Sequence, residues 1–188
     1  MILQKLLEQL SKKFLFLIVE SEVEKMDNSG ISLRLIEKQD NAEIASLIRK
    51  VFREFKIDRP GTVYFDPTTD DLHALFTTQG SVYWIALDRN VIIGGCGIFP
   101  TPALPEGCAE LVKFYLASEY RSKGIGRMLM YKSIDSAREL GYKQIYLESM
   151  PELGKAISMY EKAGFRSINH PMGNSGHFGC DIWMLLDL

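Results

Sequence analysis

Hydrophobic and polar positions follow two rhythms along this chain, and each change of rhythm marks an element. Ile31-Ser32-Leu33-Arg34-Leu35-Ile36 alternates with a period of two, which predicts an edge or half-buried strand. Ile44, Leu47, Ile48, Val51 and Phe52 then recur at three-to-four spacing, the core face of a helix that Asp40 or Asn41 is placed to cap. Pro60-Gly61 breaks the chain. Asp66-Pro67-Thr68-Thr69-Asp70-Asp71 reads as a turn or helix start ahead of a short helix carrying Leu72, Leu75 and Phe76. A hairpin is predicted next, from Ser81 to Leu87 and from Val91 to Phe99, turning at Asp88-Arg89-Asn90. Inside it, Gly94-Gly95-Cys96-Gly97 calls for close backbone approach, either beside a ligand or at a bulge without one.

Downstream, Ala109 to Leu116 is short, apolar and aromatic, as a strand would be, and Pro100 to Gly107 is the loop that leads into it. Ile125, Met128, Leu129, Ile134, Ala137 and Leu140 recur at helical spacing, with Arg127, Lys132, Asp135, Arg138 and Glu139 between them. Gln144 to Glu148 predicts a further strand, Ala156 to Phe165 a further helix, and Phe178 to Leu185 a last segment ending in a strand. Upstream of all this, Leu3, Leu6, Leu7, Leu10, Phe14 and Leu17 lie along one helical face, and Glu20 to Gly30 reads as a linker. Residues 1–30 are therefore expected to be an amphipathic extension and linker ahead of a domain at residues 31–188. That helix fits docking on the domain or on a twin subunit, as in a homodimer, better than it fits a membrane surface. It contains no uninterrupted apolar span of membrane length, and Glu8 interrupts the apolar core that a signal peptide needs.

The chemistry centres on Arg121-Ser122-Lys123-Gly124-Ile125-Gly126-Arg127, between the predicted strand and the amphipathic helix. A glycine-bearing turn opening a helix leaves N–H groups unpaired at the positive end of the helix dipole, which is an anion site. Gly124 and Gly126 let a phosphate approach the backbone, while Arg121, Lys123 and Arg127 add positive charge. Farther along, Ala156-Ile157-Ser158-Met159-Tyr160-Glu161-Lys162-Ala163-Gly164-Phe165 follows its own strand. With these two motifs in this order, the chain resembles the GNAT superfamily, the Gcn5-related N-acetyltransferases that use acetyl-coenzyme A, over roughly residues 31–188.

The resemblance implies an α/β (α+β) GNAT fold, a mixed, mostly antiparallel central sheet flanked by helices and splayed where acetyl-coenzyme A enters. It implies that the backbone of Phe114, Tyr115 and Leu116 lies beside the pantetheine arm and that the loop from Arg121 through Ser122, Lys123, Gly124, Ile125 and Gly126 to Arg127 holds the pyrophosphate. Tyr160 matches the tyrosine that protonates the departing sulfur in many members. Leu153 stands where many members carry an asparagine that touches the coenzyme.

For the base, Glu110 on the central strand is the first candidate and Glu148 on the next strand the second, since either carboxylate facing a cleft between the strands takes an ammonium proton directly or through water. His177 and Asp181 are read as acceptor-pocket or loop-holding residues, and Cys108 and Cys180 as structural thiols, with no metal expected. The expected reaction transfers acetyl from acetyl-CoA to a primary amine, most simply a small-molecule acceptor, in a ternary complex. The alternatives are a protein-directed acetyltransferase and a non-catalytic CoA-binding module.

Composition narrows these readings. With 188 residues, 46% hydrophobic and 24% charged, the chain suits one soluble globular domain plus an appendage. A net charge of −2, from 22 basic and 24 acidic residues, gives no general attraction to nucleic acid. Three cysteines, Cys96, Cys108 and Cys180, make no disulfide framework, which suits a reducing, cytoplasmic setting.

Overall fold

The computed structural model describes residues 24–26 and 30–188. Eight strands form one sheet: β1 (Glu24–Met26), β2 (Ile31–Leu35), β3 (Val82–Asp88), β4 (Val91–Phe99), β5 (Cys108–Leu116), β6 (Gln144–Ser149), β7 (Arg166–Ile168) and β8 (Ile182–Asp187), in spatial order β1-β2-β3-β4-β5-β6-β8-β7. Every pairing is antiparallel except β5 with β6. Among the described residues, four α-helices accompany the sheet: α1 (Asn41–Phe55), α2 (Leu72–Leu75), α3 (Ile125–Glu139) and α4 (Gly154–Lys162). The expected mixed, mostly antiparallel sheet with flanking helices is what the chain forms.

Alternation along β3 divides the core into two layers, because successive side chains point to opposite faces. Trp84 and Ala86 join Leu129, Ile134, Ala137, Tyr160 and Phe165 beneath α3 and α4. Tyr83, Ile85 and Leu87 join Ile44, Ile48 and Phe52 of α1 and Leu72 of α2 on the other face. The two helical periodicities thus serve opposite sides of one sheet. Among the described residues, no helix is long and apolar enough to cross a membrane.

Two local expectations change. The stretch read as a linker contains β1, whose three residues pair with β2, so β2 has a neighbour on that side. Asp40 precedes α1 but does not cap it with its side chain. Its carboxylate instead accepts both Arg34 guanidinium N–H bonds, at 2.6 and 2.8 Å, and the Glu37 backbone N–H at 2.7 Å. A buried carboxylate with an arginine in reach gains more from a bidentate ion pair than from one backbone donor. Asn41 is also used elsewhere, accepting the His73 N–H and donating to Asp71. The amphipathic reading of residues 3–17 lies outside the described residues.

Candidate active site

The sheet opens where its one parallel pair ends. β5 and β6 are in register only at Cys108–Gln144, Ala109–Ile145 and Glu110–Tyr146; beyond Glu110 the strands diverge. The opposite edge of β5 carries a bulge. Gly97 faces Val112 and Gly95 faces Tyr115, so Lys113 and Phe114 together stand opposite Cys96. Lys113 takes a positive φ of 50°, uncommon away from glycine, and its carbonyl is fixed by the Tyr83 hydroxyl at 2.8 Å. Glycine is required at 95 and 97 by packing: a methyl group at either position would run into the Tyr83 ring, and at Gly97 also into Phe76. The glycine cluster is thus a bulge with aromatic rings laid across it.

The extra residue turns neighbouring side chains to opposite faces. Phe114 packs toward Tyr160 on the α4 side, ring centroids 6.2 Å apart, while Tyr115 packs on Phe52 of α1 at 5.3 Å. The gap between the diverging strands is lined by Glu110, Phe114, Glu148, Leu153, Tyr160 and Cys180, among others. A second, broader cleft of about 390 Å³ lies beside it, with Phe65, Asp66, Phe99, Thr101 and Phe178 in its walls. Glu110, Val112, Lys113 and His177 line both, so the two spaces meet there.

At that junction the polar side chains are buried or half-buried, and each has a hydrogen-bond partner. Glu110 is 3% exposed and accepts a hydrogen bond from the Thr101 hydroxyl. Burial pushes its carboxyl up to about 7, the negative charge of Glu148 adding to the rise and the Thr101 bond opposing it. Glu148 accepts from Tyr146 at 2.8 Å and from Ser175 at 2.7 Å. Ligand atoms of Glu110, Glu148 and His177 lie within 4.8 Å of one another, a set able in principle to hold a cation. Each of the three already has a protein hydrogen-bond partner, which fits proton handling as well as metal binding.

Behind them, Lys113 Nζ lies 2.7 Å from Asp66 and 3.3 Å from Thr69 Oγ1, and His177 Nε2 lies 3.3 Å from the same Asp66 oxygen. Burial works against an ionised Asp66, yet His177, Lys113 and Thr68 together hold its carboxyl well below the usual carboxylate range. Burial also lowers the Lys113 ammonium, with Asp66 opposing. Asp66 and Lys113 carried no motif, and their pairing spans 47 residues; the available cue was the Asp-Pro helix start, which positions Asp66 but does not say what it faces.

Tyr160 is 6% exposed, set between Phe114 and Phe165, and its hydroxyl makes no hydrogen bond among the described residues. Burial raises its phenol above the ordinary value, so it stays protonated at neutral pH.

The loop after β5 enters α3 through Ser122 and Gly124, both at positive φ, 61° and 86°. Gly124 precedes α3 without a side-chain cap, and the first helical bond is Met128 N–H to Gly124 O. The N–H groups of Ile125, Gly126 and Arg127 therefore have no helical acceptor. A methyl group at Gly126 would meet Phe114, Leu116 and Met159 only at 3.6 to 3.9 Å, so protein packing does not demand glycine there. Arg121 is committed to other work: it forks onto Glu54, donates to the Leu116 carbonyl at 2.9 Å and lies 5.0 Å over the Phe55 ring. It straps the loop to α1, leaving Lys123 and Arg127 as the loop's cations. Lys123 rests 5.3 Å over Tyr120.

Asp181 and Cys180 sit at the entry to β8, Asp181 N–H bonding the Ser149 carbonyl at 3.2 Å. Burial, followed by the charges of Glu148 and Glu110, pushes the Cys180 thiol up to about 12, and burial likewise raises Cys108. Neither is a ready thiolate.

Sequence and fold comparisons agree with this geometry. The model of the acetyltransferase (GNAT) family matches residues 43–165. The chain is 34% identical over 157 residues, 83% of its length and 94% of the other's, to YjgM of Escherichia coli K12, described as an uncharacterized N-acetyltransferase. A GNAT-family acetyltransferase of Staphylococcus aureus Mu50 superposes with a TM-score of 0.75 at 21% identity, covering 84% of this chain and 98% of that one. So does yncA of Salmonella typhimurium, solved with its cofactor acetyl-CoA, at a TM-score of 0.66 and 19% identity, covering 84% and 94%. A strand that bulges and then parts from its parallel neighbour, an uncapped helix opening on glycines and a matching sequence model converge on one assignment: the chain is an acyltransferase of the GNAT family.

Proposed function

We propose that the protein transfers acetyl from acetyl-CoA to the primary amine of a small molecule, by direct attack in a ternary complex. The observation that carries this reading is Glu110: a buried carboxyl near 7 at the junction of a strand gap and a broader cleft. The donor enters through the gap. The unpaired N–H groups at the start of α3, with Lys123 and Arg127, receive its pyrophosphate, and the backbone of Phe114, Tyr115 and Leu116 flanks its pantetheine arm. The fit of this cradle to a diphosphate rests on the uncapped helix end and on the open face of Gly126.

The acceptor enters through the broader cleft. Its nitrogen attacks the thioester carbonyl carbon, the C–N bond forms as the C–S bond breaks, and Glu110 takes the ammonium proton directly or through a water. A carboxylate near 7 is a stronger base than an ordinary glutamate. Tyr160, kept protonated by burial, gives its proton to the departing sulfur. Glu148 sits close enough to Glu110 to raise its basicity, an electrostatic support for the same step.

Calorimetric titration of acetyl-CoA, followed by thiol release against pH with accepting amines, tests the scheme. We expect one saturable site and a rate that climbs as pH passes through about 7, because Glu110 must lose its proton to act. In Glu110→Gln this climb should vanish and kcat fall roughly 100-fold or more. An unaltered pH profile in the variant removes Glu110 from the mechanism.

A further inference from the structure

Resting on the acetyl-transfer reading above, the walls of the acceptor cleft restrict what the amine is attached to. We propose that the acceptor is a primary amine on an apolar body without a carboxylate, an aralkylamine in chemical class, and that α-amino acids are rejected.

The first observation is charge. The basic side chains lining the cleft are Lys113 and His177, and both are turned onto the same Asp66 oxygen, at 2.7 and 3.3 Å. Among the described lining residues, none offers an unpaired cation to a ligand carboxylate. The carboxylates point the other way: Glu110 lies at the junction with Asp66 close by, and Glu148 faces Glu110 across the gap. An α-carboxylate is two bonds from its amine nitrogen. With the nitrogen at Glu110, it would be desolvated beside negative groups and without a free cation to pair with.

The second observation is the mouth. Of the exposed large hydrophobic side chains among the described residues, Phe65 at 58% and Phe178 at 81% both stand in this cleft's wall. Neither is a stray surface ring. Phe65 meets Tyr64 edge to face at 4.9 Å. Phe178 lies over Gly61, where even a methyl group would enter its ring, and the next residue's N–H is bonded to the Gly61 carbonyl at 2.9 Å. Two positioned aromatic faces open to water, continued inward by Phe99, Leu75 and Val112, make a site that gains by covering an apolar ligand. Carboxylates at the bottom and aromatic faces at the rim match an amine at one end of an uncharged aromatic or alkyl body.

The matched pair 2-phenylethylamine and L-phenylalanine differs only in the carboxylate. With the full chain and saturating acetyl-CoA, we expect kcat/KM for 2-phenylethylamine, read as thiol release, to exceed that for L-phenylalanine at least 100-fold and that for spermidine at least 10-fold. Equal or better use of L-phenylalanine, or a preference for spermidine, overturns the proposal. Calorimetry of both amines on the complex with free CoA separates this from the reaction itself. Selective binding of 2-phenylethylamine without turnover upholds the cleft assignment and sinks the acetyl-transfer scheme; binding of neither amine sinks the cleft assignment. In Phe178→Ala, whose side chain is mostly in water, 2-phenylethylamine should weaken about 10-fold with acetyl-CoA affinity unchanged. An unchanged amine affinity in that variant counts against the aromatic rim.

Discussion

At the scale of single residues, burial decides which groups hold protons. Tyr160 is held by its ring, between Phe114 and Phe165, while its hydroxyl bonds to nothing among the described residues. Tyr160→Phe should therefore leave thermal stability within about 0.5 kcal/mol and acetyl-CoA affinity intact, while turnover falls on the order of 10- to 100-fold. Unchanged turnover would take the phenol out of the reaction. Asp66 has the contrary role, since it anchors a buried ammonium. Its folded-state carboxyl lies below its ordinary value, so the stability it contributes is present above the unfolded value and is lost as pH falls toward the folded one. Asp66→Asn strands Lys113, whose side chain is 3% exposed, and should cost roughly 3 kcal/mol by chemical denaturation at neutral pH, with less difference from the parent at low pH. The Tyr160 position could be read from sequence because its motif is local. Asp66, Lys113 and His177 could not be assembled that way, because 47 residues separate the first two and 111 separate Asp66 from His177.

At the scale of elements, a bulge and a helix start do the positioning. The strand, glycine loop and helix around Gly124 follow from local rules of periodicity and positive φ, so they are legible in the chain's own pattern. The commitment of Arg121 to Glu54 was not, because the pair joins the loop to α1 across 67 residues of sequence. The glycine cluster of β4 shows the same limit from the other side: its spacing announces close approach, but only packing reveals Tyr83 and Phe76 as the groups that approach. The start of α3 can be tested without harming the fold. In Gly126→Asp the added Cβ meets its neighbours no closer than ordinary contact, and the carboxylate puts negative charge in the first helical turn, which favours the helix. The melting temperature should hold or rise slightly, while acetyl-CoA binding by calorimetry should weaken more than 10-fold through repulsion of its phosphates. Undiminished affinity would move the diphosphate away from this helix.

At the scale of the whole molecule, the buried side chains of the two core layers come, among the described residues, from positions 33 to 186, on either side of one sheet. A chain beginning at Ile31 loses β1 but none of those buried side chains, so we expect it to fold and to bind acetyl-CoA with unchanged affinity, measured by circular dichroism and calorimetry. A collapse of either property would make the N-terminal segment part of the domain. Sheet order was not written in any local pattern, since β8 inserts between β6 and β7 by pairing over long sequence separations. The parting of β5 from β6 after Glu110 carries a last consequence, for handling the protein at high concentration. Two strands in the middle of a sheet there offer peptide groups without a strand neighbour, as a sheet's outer edge does, and such edges invite pairing between chains. A ligand whose amides lie along β5 would shield that inner edge, so coenzyme should suppress self-association on concentration as well as feed the reaction.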